Sequence, residues 1–204
     1  MGHRSSILIP HGYAVKYDNG PKARGFDRAN ACIATKVGKT FYAFTDRGHY
    51  GRIKAVQDAI PHMARIDRII EDVVLFEKAD GKLLWDNLDP MPNIEDIERQ
   101  LYEFAEGTKK CGLVHGDLRP WNVFFHKGRI TVIDWDLSVF VEDMRPDREP
   151  VKGHYARAHP GRPVHALADI DIVDAGRFAR LMRGESTYKE IKWDRPGWVP
   201  QWCR

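Results

Sequence analysis

Asp117, Asn122 and Asp134 are two carboxylates and an amide spread around two short apolar segments, Asn122–Phe125 and Ile130–Ile133. His126-Lys127-Gly128 between them predicts a hairpin, which returns its two ends to one place. Oxygen donors converging there form a hard site suited to Mg²⁺, an ion that keeps several waters and takes further ligands from phosphates. A carboxylate close to such a site but outside the metal shell can orient and deprotonate an attacking hydroxyl. Arg119, two positions after Asp117, adds a planar cation for a phosphoryl group. The chemistry these residues suit is phosphoryl transfer. The alternative, loop-capping Asp and Asn residues on an unrelated hairpin, leaves their spacing and apolar flanks unexplained.

The run His115-Gly116-Asp117-Leu118-Arg119-Pro120-Trp121-Asn122 resembles the catalytic loop of the protein-kinase-like superfamily, H-R-D-L-x-x-x-N. Gly116 stands where Arg is usual, a variant of atypical kinases and aminoglycoside phosphotransferases. Asp134-Trp135-Asp136 occupies the D-F-G slot. The resemblance implies Asp117 as catalytic base, Arg119 as a catalytic cation, Asn122 and Asp134 as Mg²⁺ ligands, and ATP as donor, with Asp134 also contacting the bound nucleotide. Lys152–Pro160 resembles the end of an activation segment, with His159 near the place of the A-P-E glutamate. Asp171-Ile172-Val173-Asp174-Ala175-Gly176, followed by Gly184-Glu185, resembles the central helix of the kinase C-terminal lobe, whose Asp braces the catalytic loop.

The N-terminal half matches less closely. Tyr13-Ala14-Val15-Lys16 resembles the V-A-I-K strand, which makes Lys16 the phosphate-holding lysine and Lys54 its rival. Val73–Phe76 running to Asp80-Gly81 resembles the strand that enters the hinge. Phe76 is then the gatekeeper, and the backbone of Glu77, Lys78 and Ala79 meets adenine. No G-x-G-x-x-G is present, and no Glu precedes Glu71, so the usual lysine partner is missing; Asp27 is the substitute on offer.

The elements that must position these residues follow from periodicity. Ser5–Pro10, Tyr13–Tyr17, Arg65–Glu71 and Val73–Phe76 predict strands, and Phe41–Phe44 is a further short candidate. Apolar spacing at Ala29, Cys32, Ile33 and Val37 predicts a helix over 26–37, while Gly48 and Gly51 argue against a long element between 38 and 60. Ile97, Leu101, Phe104 and Ala105 line one face of a helix from Ile94 to about Lys110, capped by Asn93. Asp143–Pro163 predicts loop, Ala168–Arg183 a second helix, and the tail from Glu185 irregular packing. The fold class is α+β: a bilobal kinase-like domain over 1–204, with a reduced strand-rich lobe at about 1–78. The helical lobe, at about 82–204, ends soon after its central helix.

Composition narrows the setting. The chain has 204 residues, 43% hydrophobic and 30% charged, with a net charge of +3, which suits a mixed-charge surface and calls for no polyanionic partner. Basic residues between 145 and 165 come without a nucleic-acid-binding motif, so no nucleic-acid role is expected. Cys32, Cys111 and Cys203 form no pair or cluster and fit a reducing, cytoplasmic compartment, including that of a host cell receiving an effector. No apolar run approaches a membrane span. Met1-Gly2-His3-Arg4-Ser5-Ser6 fits an acylation pattern, the one route to membrane contact. Ser138, Tyr155, Ser186 and Thr187 carry hydroxyls in the region where such enzymes are modified. The leading expectation is an ATP- and Mg²⁺-dependent Ser/Thr protein kinase resembling compact bacterial or phage effector kinases. Its rivals are a small-molecule phosphotransferase and a nucleotide-binding pseudokinase acting through partners.

Overall fold

The computed structural model describes residues 14–16, 33–36, 47–70, 73–77, 79–84, 92–135, 138–143 and 168–186. In chain order the elements are β1 (Ala14–Lys16), β2 (Ile33–Lys36), α1 (Arg47–Val56), β3 (Ile66–Ile70), β4 (Val73–Phe76) and β5 (Lys82–Leu83). They continue with α2 (Ile94–Lys110), β6 (Leu113–Val114), β7 (Val123–His126), β8 (Arg129–Val132), β9 (Val139–Phe140) and α3 (Ile170–Met182). This is the expected α+β class, strands dominating the N-terminal part and helices packing the rest. The predicted strands at Ser5–Pro10 and Phe41–Phe44, the loop between 144 and 163 and the tail from 187 lie outside the described residues, as do Gly2 and Lys78.

The first sheet has the order β1-β2-β4-β3. β1 and β2 are parallel; β2 and β3 each pair antiparallel with β4, whose Val74 and Leu75 are fully buried. Ile33–Lys36 is therefore strand, correcting the helix expected over 26–37. The 3.6-residue apolar spacing there is real, but Ala34, Thr35 and Lys36 each gain a ladder partner on β4, and pairing outweighs local periodicity.

α1 also departs from expectation, running through Gly48 and Gly51. Each glycine costs about 1 kcal/mol in a helix. Burying Tyr50 and Ile53 completely contributes about 1.5–3 kcal/mol apiece, and Tyr50 meets Phe76 edge-on at 6.1 Å. The Gln57 side chain then fixes the end of this segment to β3, its oxygen accepting from Ile66 N at 2.7 Å.

α2 forms where its periodicity places it. Asn93 Oδ1 accepts from Glu95 N at 2.9 Å and Asp96 N at 3.3 Å, and acids in the first turn with Lys109 and Lys110 in the last suit the helix dipole. Its buried face, Ile97, Leu101, Phe104 and Ala105, meets α3 on one side and the β7–β8 hairpin on the other. Lys127 and Gly128 take left-handed φ values of 46° and 82°, as a two-residue hairpin turn requires. Buried Gln100 holds that hairpin on α2, donating to Gly128 O at 2.9 Å and accepting from Ile130 N at 3.0 Å. Among the described residues no helix is long and apolar enough to cross a membrane.

Gly107 sits where α2 crosses the segment before β3. A Cβ there would lie 2.6 Å from Pro61 Cδ and 3.2 Å from Ile60 Cα. Gly107→Ala is expected to lower stability by about 1–3 kcal/mol in urea unfolding. Gly51→Ala is the control: nothing lies within 4 Å of its Cβ, so it should be neutral or stabilising by up to about 1 kcal/mol.

Candidate active site

Two loops meet at the site, and both ends of each are pinned. The chain leaves β6, forms residues 115–122, enters the β7–β8 hairpin, and returns through residues 133–138 to β9. β9 pairs back on β6 (Leu113↔Phe140, Val114↔Val139), while Val123↔Val132 closes the other end. Asp117 and Asn122 lie on the first loop, Asp134 on the second. Ile133 N donates to Asn122 O at 2.9 Å, crossing directly between them.

His115 makes a second crossing. Its Nε2 lies 3.0 Å from Ile133 O, a pure acceptor, so Nε2 carries hydrogen. Its Nδ1 accepts from Asp117 N at 3.2 Å and so carries none. That tautomer is held in a fully buried pocket, edge-on to Trp135 at 4.7 Å and to Phe104 at 5.6 Å.

α3 braces the first loop from below. Asp171, 3% exposed, accepts from His115 N at 2.7 Å on one oxygen and from Gly116 N at 2.9 Å on the other. Thr108 Oγ of α2 lies 3.1 Å from the first of these oxygens. The brace presents both peptide N–H groups to one carboxylate, and Gly116 reaches this arrangement at φ 77°, where a side chain would be strained.

At the centre, Asn122 Nδ2 directs its two hydrogens to Asp117 O (2.9 Å) and Asp117 Oδ2 (2.6 Å), leaving its own Oδ1 as an acceptor. Arg119 Nε lies 2.6 Å from Asp117 Oδ1, both side chains being 12% exposed. The contact is ionic rather than directional: Oδ1 has no aligned hydrogen bond. Asp134 holds φ 70°, a left-handed conformation that costs a non-glycine residue roughly 1–3 kcal/mol and marks a geometry imposed by its surroundings. An Asn carbonyl and an Asp carboxylate carried on cross-bonded loops fit a hard divalent cation such as Mg²⁺. Among the described residues there is no cluster of three or more His, Cys, Asp or Glu side chains, so any metal here would take its other ligands from water or substrate.

The hinge expectations fall out unevenly. Phe76 is 5% exposed and packs into the core on Tyr50. Glu77 is exposed, and its N–H is already engaged by Arg65 O at 2.8 Å, so only its carbonyl side remains for a ligand. Ala79 is buried.

Lys16 lies on β1, at the edge of the sheet and opposite Thr35 of β2. Lys36 lies on β2 opposite Val73, on the strand that pairs directly with the one ending in Phe76. The run Ile33-Ala34-Thr35-Lys36, which lies within the helix expected over 26–37, fits the V-A-I-K pattern as well as Tyr13–Lys16 does, making Lys36 a second candidate beside Lys16.

One turn beyond Asp171, Asp174 is 2% exposed and ion-paired to Arg177 at 3.0 Å. Burial pushes its carboxyl up to about 7; Arg177 opposes that shift, neighbouring Asp171 adds to it, and Arg119 opposes it more weakly.

One comparison with known proteins covers both loops. Residues 50–140 match the sequence profile described as the phosphotransferase enzyme family. A curated relative from Archaeoglobus fulgidus, named "Probable serine/threonine-protein kinase BUD32 homolog", is 26% identical over 76 residues, 37% of this chain. The match spans 36% of that relative's length, so the chain corresponds to little more than a third of it. Among solved structures, the Cydia pomonella granulovirus kinase PK-1 aligns with a TM-score of 0.39 and 14% identity, over 52% of this chain and 44% of that one.

The raised Asp174 carboxyl has a stability consequence. Below about 3.8 it is protonated in both states; between there and about 7 the folded protein keeps a proton that the unfolded chain loses. Stability therefore falls as pH rises through that window and levels off above it. Asp174→Asn has no such dependence, so from pH 5 to pH 8 the stability difference should move in the variant's favour by about 1–3 kcal/mol. Urea midpoints at pH 5, 6.5 and 8 check this; a difference constant with pH would contradict it.

Proposed function

We propose that this protein-kinase-like chain is an ATP- and Mg²⁺-dependent kinase that transfers the γ-phosphoryl group to a Ser or Thr hydroxyl of a protein. The observation that carries the reading is the Asp117–Asn122 pair seated on the loop that Asp171 clamps. Asn122 and Asp134 would hold Mg²⁺, which supplies positive charge against the phosphate oxygens. Asp117 orients the acceptor hydroxyl and takes its proton as the oxygen bonds to the γ-phosphorus and the bond to ADP breaks. Asn122 keeps Asp117 Oδ2 in place, so Oδ1 is the atom that meets the hydroxyl. Arg119 must then leave Oδ1 and turn to the phosphoryl oxygens, which frees that oxygen for the hydroxyl and places the cation where charge collects. The name of the archaeal relative supports a protein acceptor.

A second reading, a small-molecule hydroxyl as acceptor, is favoured by the match of residues 50–140 to the phosphotransferase enzyme family. The two readings share the chemistry and differ in what fills the space beside Asp117.

Transfer from γ-labelled ATP tests both, offering the protein itself, a generic protein substrate, a cell lysate and an aminoglycoside panel. Label on protein, reduced roughly 100-fold or more in Asp117→Ala and Asp134→Ala, is the expected result. Label on small molecules alone would replace the first reading with the second. Lys36→Ala should weaken nucleotide use more than Lys16→Ala, because β2 adjoins the hinge strand and β1 does not. The reverse order would return the phosphate-holding role to Lys16.

A further inference from the structure

α1 contains no carboxylate, so an acid on this helix cannot hold the nucleotide-side lysine. The helix instead reaches the segment that follows Asp134. His49 Nε2 lies 2.9 Å from Ser138 Oγ, and both side chains are buried, 5% and 2% exposed. Ser138 Oγ donates to Trp135 O at 2.5 Å, and Ser138 N reaches the same carbonyl at 3.1 Å. A hydroxyl has one hydrogen. With that hydrogen on Trp135 O, the Ser138 oxygen accepts from His49, whose Nε2 must be the protonated nitrogen. The result is a directed chain from α1 through His49 and Ser138 to the carbonyl of the residue next to Asp134.

The far end of the segment is tied to the same helix. One turn on from His49, the Arg52 guanidinium lies 3.8 Å from the Phe140 ring centroid and pairs with Asp143 at 2.6 Å and with Glu142. His49 packs edge-on against the same ring at 5.5 Å. Thus α1 grips the described part of this region, residues 138–143, at two points. Between them lies the only aromatic side chain of β9.

We infer that α1 is the positioning element for Asp134, with His49 acting through Ser138 and the Trp135 carbonyl. This rests on the reading of Asp134 as a Mg²⁺ ligand. Asp134 keeps a left-handed φ of 70°, and the Trp135 carbonyl, which opens the second peptide after it, is held by Ser138, limiting how far the chain beside Asp134 can relax. Both lone pairs of the Trp135 carbonyl are taken by Ser138, one by its N–H and one by its hydroxyl, so His49 bears on that carbonyl through a serine already fixed to it. The arrangement also removes Ser138 as a modification site: its hydroxyl is buried and engaged at both ends.

The test measures ATP binding by calorimetry, with and without Mg²⁺, for wild type, His49→Ala, His49→Gln, Ser138→Ala and Arg52→Ala. Outer contacts of this kind change metal affinity by roughly 10–100-fold. His49→Ala and Ser138→Ala should therefore need about tenfold more Mg²⁺ for half-maximal binding, with metal-free ATP affinity unchanged. His49→Gln, which keeps a donor near the Nε2 position, should recover most of the loss. Arg52→Ala should shift less, because its carboxylate partners are more exposed. An unchanged Mg²⁺ requirement in His49→Ala, or equal losses with and without metal, would overturn the inference and leave the contact as packing. If His49→Ala does not fold, Ser138→Ala and His49→Gln decide by the same two affinities. A wild type whose ATP binding ignores Mg²⁺ would overturn the parent reading of Asp134 and this inference with it; a Mg²⁺-dependent wild type matched by its variants overturns the inference alone.

Discussion

The Asp171 carboxylate is a charge taken almost wholly out of water, and the rest of the site depends on how that charge is satisfied. An ionised carboxylate left unpaired at such depth costs several kcal/mol, so its acceptor oxygens must find donors. They find the backbone N–H groups of His115 and Gly116 and the hydroxyl of Thr108, whose single hydrogen is shared with Ala105 O at 2.9 Å. Two consecutive peptides of the loop are thereby locked to α3, and a third contact locks α3 to α2. The residue that follows is Asp117. Its position is set by the same carboxylate, through a backbone whose left-handed turn at Gly116 leaves no room for drift.

From that anchor the geometry spreads by backbone and ring contacts. His115, fixed at its own N–H, directs one ring nitrogen to each loop and offers its edge to Trp135. Trp135, the residue after Asp134, is itself fully buried, and its carbonyl is taken up by Ser138. The two loops thus act as one body, closed by the β6–β9 ladder at one end and the β7–β8 hairpin at the other. A structure of this kind carries strain at Asp134 without relaxing it, because several independent contacts would have to break together.

The parts legible in the sequence are those whose determinants are local. The hairpin was visible in two apolar runs around a turn, α2 in its apolar stripe and Asn cap, and Asp171 in its place ahead of a glycine on a helix. β2 was not, because Ile33 and its neighbours satisfy a helical period equally well until a partner strand is known. α1 was hidden by two glycines whose cost is outweighed by Tyr50 and Ile53, side chains whose burial only the assembled core reveals. Lys36 was lost with β2. The His49–Ser138 contact joins residues 89 positions apart, and nothing in the local sequence of either one announces it.

Asp117 and Arg119 expose the tension that this architecture must resolve. Arg119 lies 2.6 Å from the Asp117 oxygen that the proposed reading assigns to an acceptor hydroxyl, and the same reading needs that cation a short distance away. Asn122 holds the other Asp117 oxygen, and Asp171 holds the two residues before it, so the carboxylate is anchored independently of Arg119. The two parts of the structure consequently rest on different foundations. The loops that carry Asp117, Asn122 and Asp134 are clamped between α1, α2 and α3; Lys16 and Lys36 sit on two short strands, held in the sheet by ladder pairing alone among the contacts described.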